Sequence, residues 1–344
     1  MKAFVRAAWR LLLPTGLGLG TALSGCTPSL PRHALPEPGT YRQITPLRYH
    51  LVARTYRVHV PRHYSEQRLW PLVLVLHGAF SNAATIEEWS RFSQLADREG
   101  FVVAYPNGIG WFGFLQHWNA GHCCGLAAED HVDDVSFLRY VIGDVSSRLQ
   151  IDPRRVYIVG HSNGGMLAYY FGATDSEQIA GIGVMGGALG SEQNSHRPLR
   201  MIGPPQRPVP LIALHGRDDP TVPFEGGTGR RTVGGRRYIS VLDSTEGWAA
   251  YCGCGSPPQV RNSPEGDHYV LSWRDTTGKP WVILHVLDHW GHQWPRAKRN
   301  PPSGNDDPES LGSGRKSRGQ TVDGAQIIWD FLREQTCPAD PCQP

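Results

Sequence analysis

Charge is scarce in this chain. Asp, Glu, Lys and Arg make up 19% of its 344 residues and nearly cancel, leaving a net charge of +3. No long basic stretch interleaves with aromatics, so nothing is built to follow a phosphate backbone and nucleic acid is set aside as a partner. Long membrane-spanning runs are wanting as well. The apolar run from Leu11 to Leu19 is too short and too rich in glycine for a stable span. Internal repeats are missing. The cysteines occur as CC and CxC, which lack the usual zinc-ligand spacing, so no metal is expected. What is present is a globular composition, 40% hydrophobic, with 40 Gly, 28 Pro and 11 Trp. That mixture suits a loop-rich protein with aromatic surfaces.

The N-terminus reads as an export signal. Lys2, Arg6 and Arg10 form a positive region, the apolar run follows, and small residues come next. It ends in Leu23-Ser24-Gly25-Cys26, which resembles a bacterial lipobox. That resemblance implies cleavage before Cys26 and a lipid on its sulfur, hence a membrane partner through the anchor. The expected location is the cell envelope, at the outer membrane in a two-membraned bacterium, or outside the cell. Several acyl chains would hold the protein stably where one would not. Six cysteines remain, Cys123, Cys124, Cys252, Cys254, Cys337 and Cys342. In an exported chain an even number reads as up to three disulfides, with the pairing open.

Residues 27–40 are Pro-rich and polar, like a tether. Beyond them short apolar runs alternate with helical patterns. "RTYRVHVP" (54–61) alternates as a half-buried strand, and "PLVLVLHG" (71–78) is continuous, as in a strand buried on both faces. Further strands are read at 101–108, 154–160, 181–188, 209–216 and 280–289, the last in a hairpin with 268–273. Helices are read from Thr85 to Arg98, from Val135 to Leu149, over 164–172 and over 324–335. Strands alternating with helices predict an α/β fold, a mainly parallel twisted sheet with helices on both faces.

The chemistry centres on "YIVGHSNGGMLAYYFG" (157–172), where Gly160-His161-Ser162-Asn163-Gly164 fits G-x-S-x-G between a strand and a helix. A tight turn there pushes one hydroxyl clear of the sheet edge, and the helix start adds free N–H groups. A serine nucleophile needs a base, and the base an orienting acid, in the order Ser, Asp or Glu, His. After "VPLIALHG" come Asp218 and Asp219, of which Asp219 is preferred. After "VILHVLDH" comes His292, flanked by Gly291 and an aromatic-proline loop. His285 and His289 fit packing or loop surface better, and His77 and His215 fit bonding to loop backbone. The oxyanion donors are expected from the amides of Asn163 and of Ala79 or Phe80. Trp111, Phe112, Phe114, Trp118, Trp290 and Trp294 fall in loops on the same face. Trp118, Trp290 and Trp294 are taken as substrate-binding, since such rings stack on sugar or aryl groups. Asp133 and Asp134, just ahead of a helix, are better read as caps.

In order, "LHGAFSNAAT", "YPNG", "WNAGHCC", "VDDVSFLRYVI", "IDPRRVYIVGHSNGGMLAY", "HGRDDPTVPF" and "GHQWP" resemble the polyhydroxybutyrate depolymerase and feruloyl esterase group of α/β-hydrolases, related to carbohydrate esterase family 1. The likeness covers roughly residues 50–335. Its pattern HG-x-x-D-x-x-V-P falls on Asp219 and G-H-x-W-P on His292. It implies hydrolysis of feruloyl or acetyl polysaccharide esters, or of short polyhydroxyalkanoate esters, through an acyl-enzyme with no metal or organic cofactor. Two features depart from the pattern: His161 before the serine, and the Arg/Gly-rich segments 226–237 and 296–318. The expected organisation is a lipoprotein signal peptide at 1–25, a lipid-anchored linker at 26–45, a catalytic domain at 46–336 and a tail at 337–344. A related peptidase would need a large extra domain for which there is no room. The alternative of another class is an inactive surface lipoprotein that binds polysaccharide or polyester.

Overall fold

Trp70 to Leu76 is apolar on both sides, and it forms a strand buried along its whole length. Leu72, Leu74 and Leu76 enter one hydrophobic cluster while Val73 and Val75 enter a second on the opposite face. That alternation is the period-2 geometry of a strand covered by helices on both sides. The computed structural model describes residues 27–31, 36–111, 114–193, 198–262, 268–296 and 322–337. The expected signal peptide, Cys26, Phe112, Cys342, the tail beyond Cys337 and residues 297–318 lie outside the described residues.

The strands in chain order are β1 (Gly39–Tyr49), β2 (Val52–Val60), β3 (Trp70–Leu76), β4 (Val102–Pro106), β5 (Ile151–His161), β6 (Gly181–Met185), β7 (Gly190–Glu192), β8 (Arg200–Met201), β9 (Leu211–Gly216), β10 (Arg237–Tyr238), β11 (Gln259–Asn262), β12 (His268–Arg274) and β13 (Pro280–Leu287). Ten of them form one sheet in the order β1-β2-β4-β3-β5-β6-β9-β13-β12-β11. The central run from β4 to β13 is parallel. Antiparallel strands close both edges. A small second sheet joins β10, β7 and β8.

The helices are α1 (Ala83–Ser90), α2 (Phe92–Glu99), α3 (Gly125–Glu129), α4 (Asp134–Ser146), α5 (Asn163–Thr174), α6 (Val241–Tyr251) and α7 (Gly324–Leu332). The buried side chains of α4, α5 and α6 join the cluster on one face of the sheet, and those of α1, α2 and α7 the cluster on the other. This is the α/β arrangement that the alternation predicts. Among the described residues, no helix is long and apolar enough to cross a membrane.

Two readings need correction. The helix expected from Thr85 to Arg98 is broken at Arg91, whose φ of 58° ends α1 and starts α2. The break turns Phe92 fully inward against Phe101 and Trp294. The segment expected as a linker over 26–45 is already strand from Gly39. Polar Gln43 and Thr45 face inward there, which hid the alternation, and Leu30 is buried while the Arg42 amide donates to the Pro28 carbonyl.

Candidate active site

The parallel strands deliver their C-terminal ends to one edge, where a doubly wound sheet gathers its functional loops. His161 ends β5, and Ser162 stands between it and α5 with φ 52° and ψ −120°. Positive φ in a non-glycine residue stores strain of about 1–3 kcal/mol, which the surrounding packing must hold. The glycines explain how. A Cβ on Gly160 would lie 2.1 Å from the Gly164 carbonyl oxygen, and one on Gly164 would lie 2.5 Å from that of His77. The first turn of α5 is thus pressed between the ends of β5 and β3, a fit only glycine permits.

Ser162, His292 and Asp219 come together there. His292 Nε2 is 2.8 Å from Ser162 Oγ, and His292 Nδ1 is 2.6 Å from Asp219 Oδ2. A carboxylate only accepts, so Nδ1 carries the proton and Nε2 is free to accept from the hydroxyl. Asp219 Oδ1 accepts from the Thr221 and Val222 amides at 2.8 and 2.9 Å. Burial alone would raise the Asp219 pKa. The neighbouring His292 and hydrogen bonds from His215 and His292 outweigh it and hold the acid well below the usual carboxylate range. Asp218, its rival, is 66% exposed and faces His289 on the surface.

The expected oxyanion donors separate. The amide of Phe80 is already spent on the Gln116 carbonyl at 2.8 Å, so Phe80 is corrected out of that role. The amides of Ala79 and Asn163 have no acceptor among the described residues. His77 orients the first of these. Its Nε2 accepts from the Gly108 amide at 2.9 Å, so its Nδ1 donates to the Gly78 carbonyl at 2.8 Å. In a trans peptide the Ala79 N–H points opposite to that carbonyl. Burial pushes the His77 pKa down to about 4, so the ring stays neutral.

The three tryptophans assigned to substrate do not face solvent. Trp118, Trp290 and Trp294 are 0%, 4% and 3% exposed. Trp118 Nε1 donates to the His77 carbonyl, Trp290 Nε1 to the Gln293 carbonyl, and Trp294 packs on Phe92 and His161. Large rings beneath loops gain more from burial than from exposure. The exposed aromatics are instead Trp111 and Phe114, at 71% and 74%, together with Phe80. Their loop is bridged back through Ser81 and Gln116 to the segment that carries Ala79.

The cysteine reading also changes. Cys252 and Cys254 are free thiols, Cys252 turning its sulfur to the Val209 carbonyl. Burial raises their pKa values to about 12 and about 11. The sulfurs of Cys123 and Cys124 meet each other, and Cys337 is disulfide-bonded. Among the described residues no three His, Cys, Asp or Glu side chains are placed to hold a metal.

Sequence reasoning missed three supports. The Asn163 side chain clamps the Trp118 backbone from both sides, accepting from its amide at 2.8 Å and donating to its carbonyl at 3.1 Å. Arg54 forms a buried ion pair with Asp134, and Asp134 also accepts from the Asn119 amide, while Asp133 alone caps α4. His161 bonds the backbone of His292. Only residue types marked these positions, since their partners lie far away in sequence.

Comparison with known proteins agrees with this architecture. The family model described as esterase PHB depolymerase matches residues 54–214. NocK of Nocardia uniformis subsp. tsuyamanensis, an esterase by inference, is 28% identical over 70% of this chain and 71% of its own. Feruloyl esterase B of Piromyces equi is 29% identical over 68% of this chain, which spans only 42% of that relative. Among solved structures, the acetyl xylan esterase from Aspergillus awamori superposes with a TM-score of 0.50 at 14% identity, covering 71% of this chain and 90% of its own. The fold is that of an α/β-hydrolase, and the likeness drawn from the motifs, to the polyhydroxybutyrate depolymerase and feruloyl esterase group, holds.

Proposed function

Taking this chain as the carboxylic ester hydrolase that its family match and relatives indicate, we propose that it works through an acyl-enzyme on Ser162. The observation that carries the reading is the unbroken chain of hydrogen bonds from Ser162 Oγ through His292 to Asp219, at 2.8 and 2.6 Å. His292 Nε2 takes the hydroxyl proton as Oγ attacks the ester carbonyl. The developing oxyanion is met by the Ala79 and Asn163 amides, the latter at the positive end of α5. His292 then passes the proton to the departing alcohol, and a water activated by the same nitrogen releases the acid. Asp219 holds Nδ1–H throughout and stabilises the transient imidazolium. Nothing in this sequence of steps calls for a metal or an organic cofactor.

The proposed substrates are feruloyl or acetyl esters of plant polysaccharide, or short hydroxyalkanoate esters. Exposed Trp111 and Phe114, close to the loop of Ala79, supply apolar and aromatic surface for the part of the ester that lies outside the cleft. The proposed setting is extracytoplasmic, with lipid on Cys26, as the N-terminal pattern suggests.

Hydrolysis of p-nitrophenyl acetate, p-nitrophenyl butyrate and methyl ferulate, beside Ser162→Ala, tests this. Activity lost in the variant supports the reading, and the ranking of the three esters identifies the acyl preference. Equal, negligible rates for two folded proteins would leave a surface protein that binds its polymer without cutting it.

A further inference from the structure

The residue before the nucleophile has surroundings that give it a task. His161 is buried, with its Nε2 2.7 Å from the backbone carbonyl oxygen of His292. A carbonyl only accepts, so Nε2 carries the proton and Nδ1 is bare. We propose that His161 is a positioning residue, holding the peptide of His292 so that the catalytic imidazole stays in line between Ser162 and Asp219. The proposal rests on the triad reading above and adds a residue to it.

The loop after β13 needs such a hold. Its entry is tied to the acid-bearing loop by the amides of Arg217 and Asp218, which donate to the carbonyls of Leu287 and Trp290. At residue 292 itself, among the described residues, the bond from His161 is the hydrogen bond that holds the main chain. Gly291 precedes it and adds no side chain to stiffen the turn. Asp219 orients the ring, but a ring can be oriented and still stand too far from Ser162 if its Cα shifts. One ångström of misplacement is enough to cost about 10²-fold in rate.

His161 also bridges the two halves of the site. A Cβ on Gly78 would lie 3.1 Å from His161 Nδ1, so the ring rests directly against the strand end that leads to Ala79. Its other contacts are the His292 and Trp294 rings, at 5.0 and 6.2 Å between centroids. The charged and titratable groups around it are His292, Asp219 and His215. Burial and then His292 lower its pKa to about 4, so the neutral, Nε2–H form persists through ordinary working pH. An imidazolium there would place a second positive charge beside the one that His292 must acquire during turnover.

The test compares His161→Phe, which keeps a ring for packing but has no donor, with His161→Gln, whose amide replaces Nε2–H. The Phe variant is expected to lose about 10²-fold in kcat with KM within roughly twofold of the parent, and Gln to recover most of it. A second readout needs no turnover: the low-field proton resonance of the short His292–Asp219 hydrogen bond. It is expected to persist in the parent and Gln proteins and to broaden or vanish in the Phe protein. A Phe variant with parental kcat and an intact resonance would overturn the proposal. So would a Gln variant as impaired as Phe. Should the parent itself fail to hydrolyse esters, the esterase mechanism falls, while the resonance still decides whether His161 positions His292.

Discussion

The side chain of Asn163 and the backbone of Trp118 exchange two hydrogen bonds, one in each direction, at 2.8 and 3.1 Å. The clamp locks the loop after β4 onto the start of α5, beside an amide proposed to hold the oxyanion. Asn163→Ala keeps the main-chain amide but abandons two buried polar groups of Trp118. It is expected to cost about 1–3 kcal/mol of stability, read by urea unfolding, with a further fall in kcat as the loop loosens. Unchanged stability would mean that the loop finds other partners.

Asp219 allows a paired prediction. Asp219→Asn preserves shape but leaves His292 without its charged partner, and a fall in kcat of about 10⁴ is expected, as in serine proteases altered in this way. The sign of the pH effect on stability follows from a depressed carboxylate. Its contribution is present above the unfolded value near pH 4 and fades as pH falls toward the folded value. The stability gap between parent and Asn variant should therefore narrow below about pH 4 in acid unfolding curves. A gap that widens in acid would contradict the assignment.

Trp111 and Phe114 stand exposed where the three buried tryptophans were expected to work. Replacing both with Ala should leave p-nitrophenyl acetate hydrolysis within about twofold, since exposed substitutions rarely disturb a fold. KM for methyl ferulate or for an apolar ester should rise several-fold as stacking is lost, at about 0.5–1.5 kcal/mol per aromatic pair. Parallel changes for all three esters would argue against a binding role.

Cys252 and Cys254 yield a chemical test. Alkylation of the denatured, unreduced protein followed by peptide mapping should modify both residues. In the native protein both should react slowly, because burial keeps the thiols protonated at neutral pH. Finding them joined to each other would restore the disulfide reading.

Much of the architecture was legible because its signals are local. The buried run of β3, the alternation of β2 and the strand–turn–helix around Ser162 each carry their period in the sequence. The loops after β9 and β13 could be located for the same reason, since each follows a largely apolar run. What stayed hidden depends on contacts across the chain. No pattern in "WNAGHCC" tells that Trp118 is buried against His77, and composition alone made it look like a platform for substrate. The Phe80 amide qualified by position until Gln116, far along the chain, was seen to occupy it. β1 escaped because two of its buried residues, Gln43 and Thr45, are polar, and the break at Arg91 because one left-handed residue leaves no periodic trace.

The central claim, that Ser162 is acylated during turnover, is tested most directly by rapid quenching in acid after mixing with p-nitrophenyl butyrate. Mass spectrometry of the digest then reads the acyl group. The account predicts a butyryl group on the peptide carrying Ser162, formed with the burst of p-nitrophenol, decaying as substrate is exhausted, and absent from Ser162→Ala. Steady hydrolysis in the parent protein with the acyl group on another residue, or undiminished hydrolysis by Ser162→Ala, would contradict it.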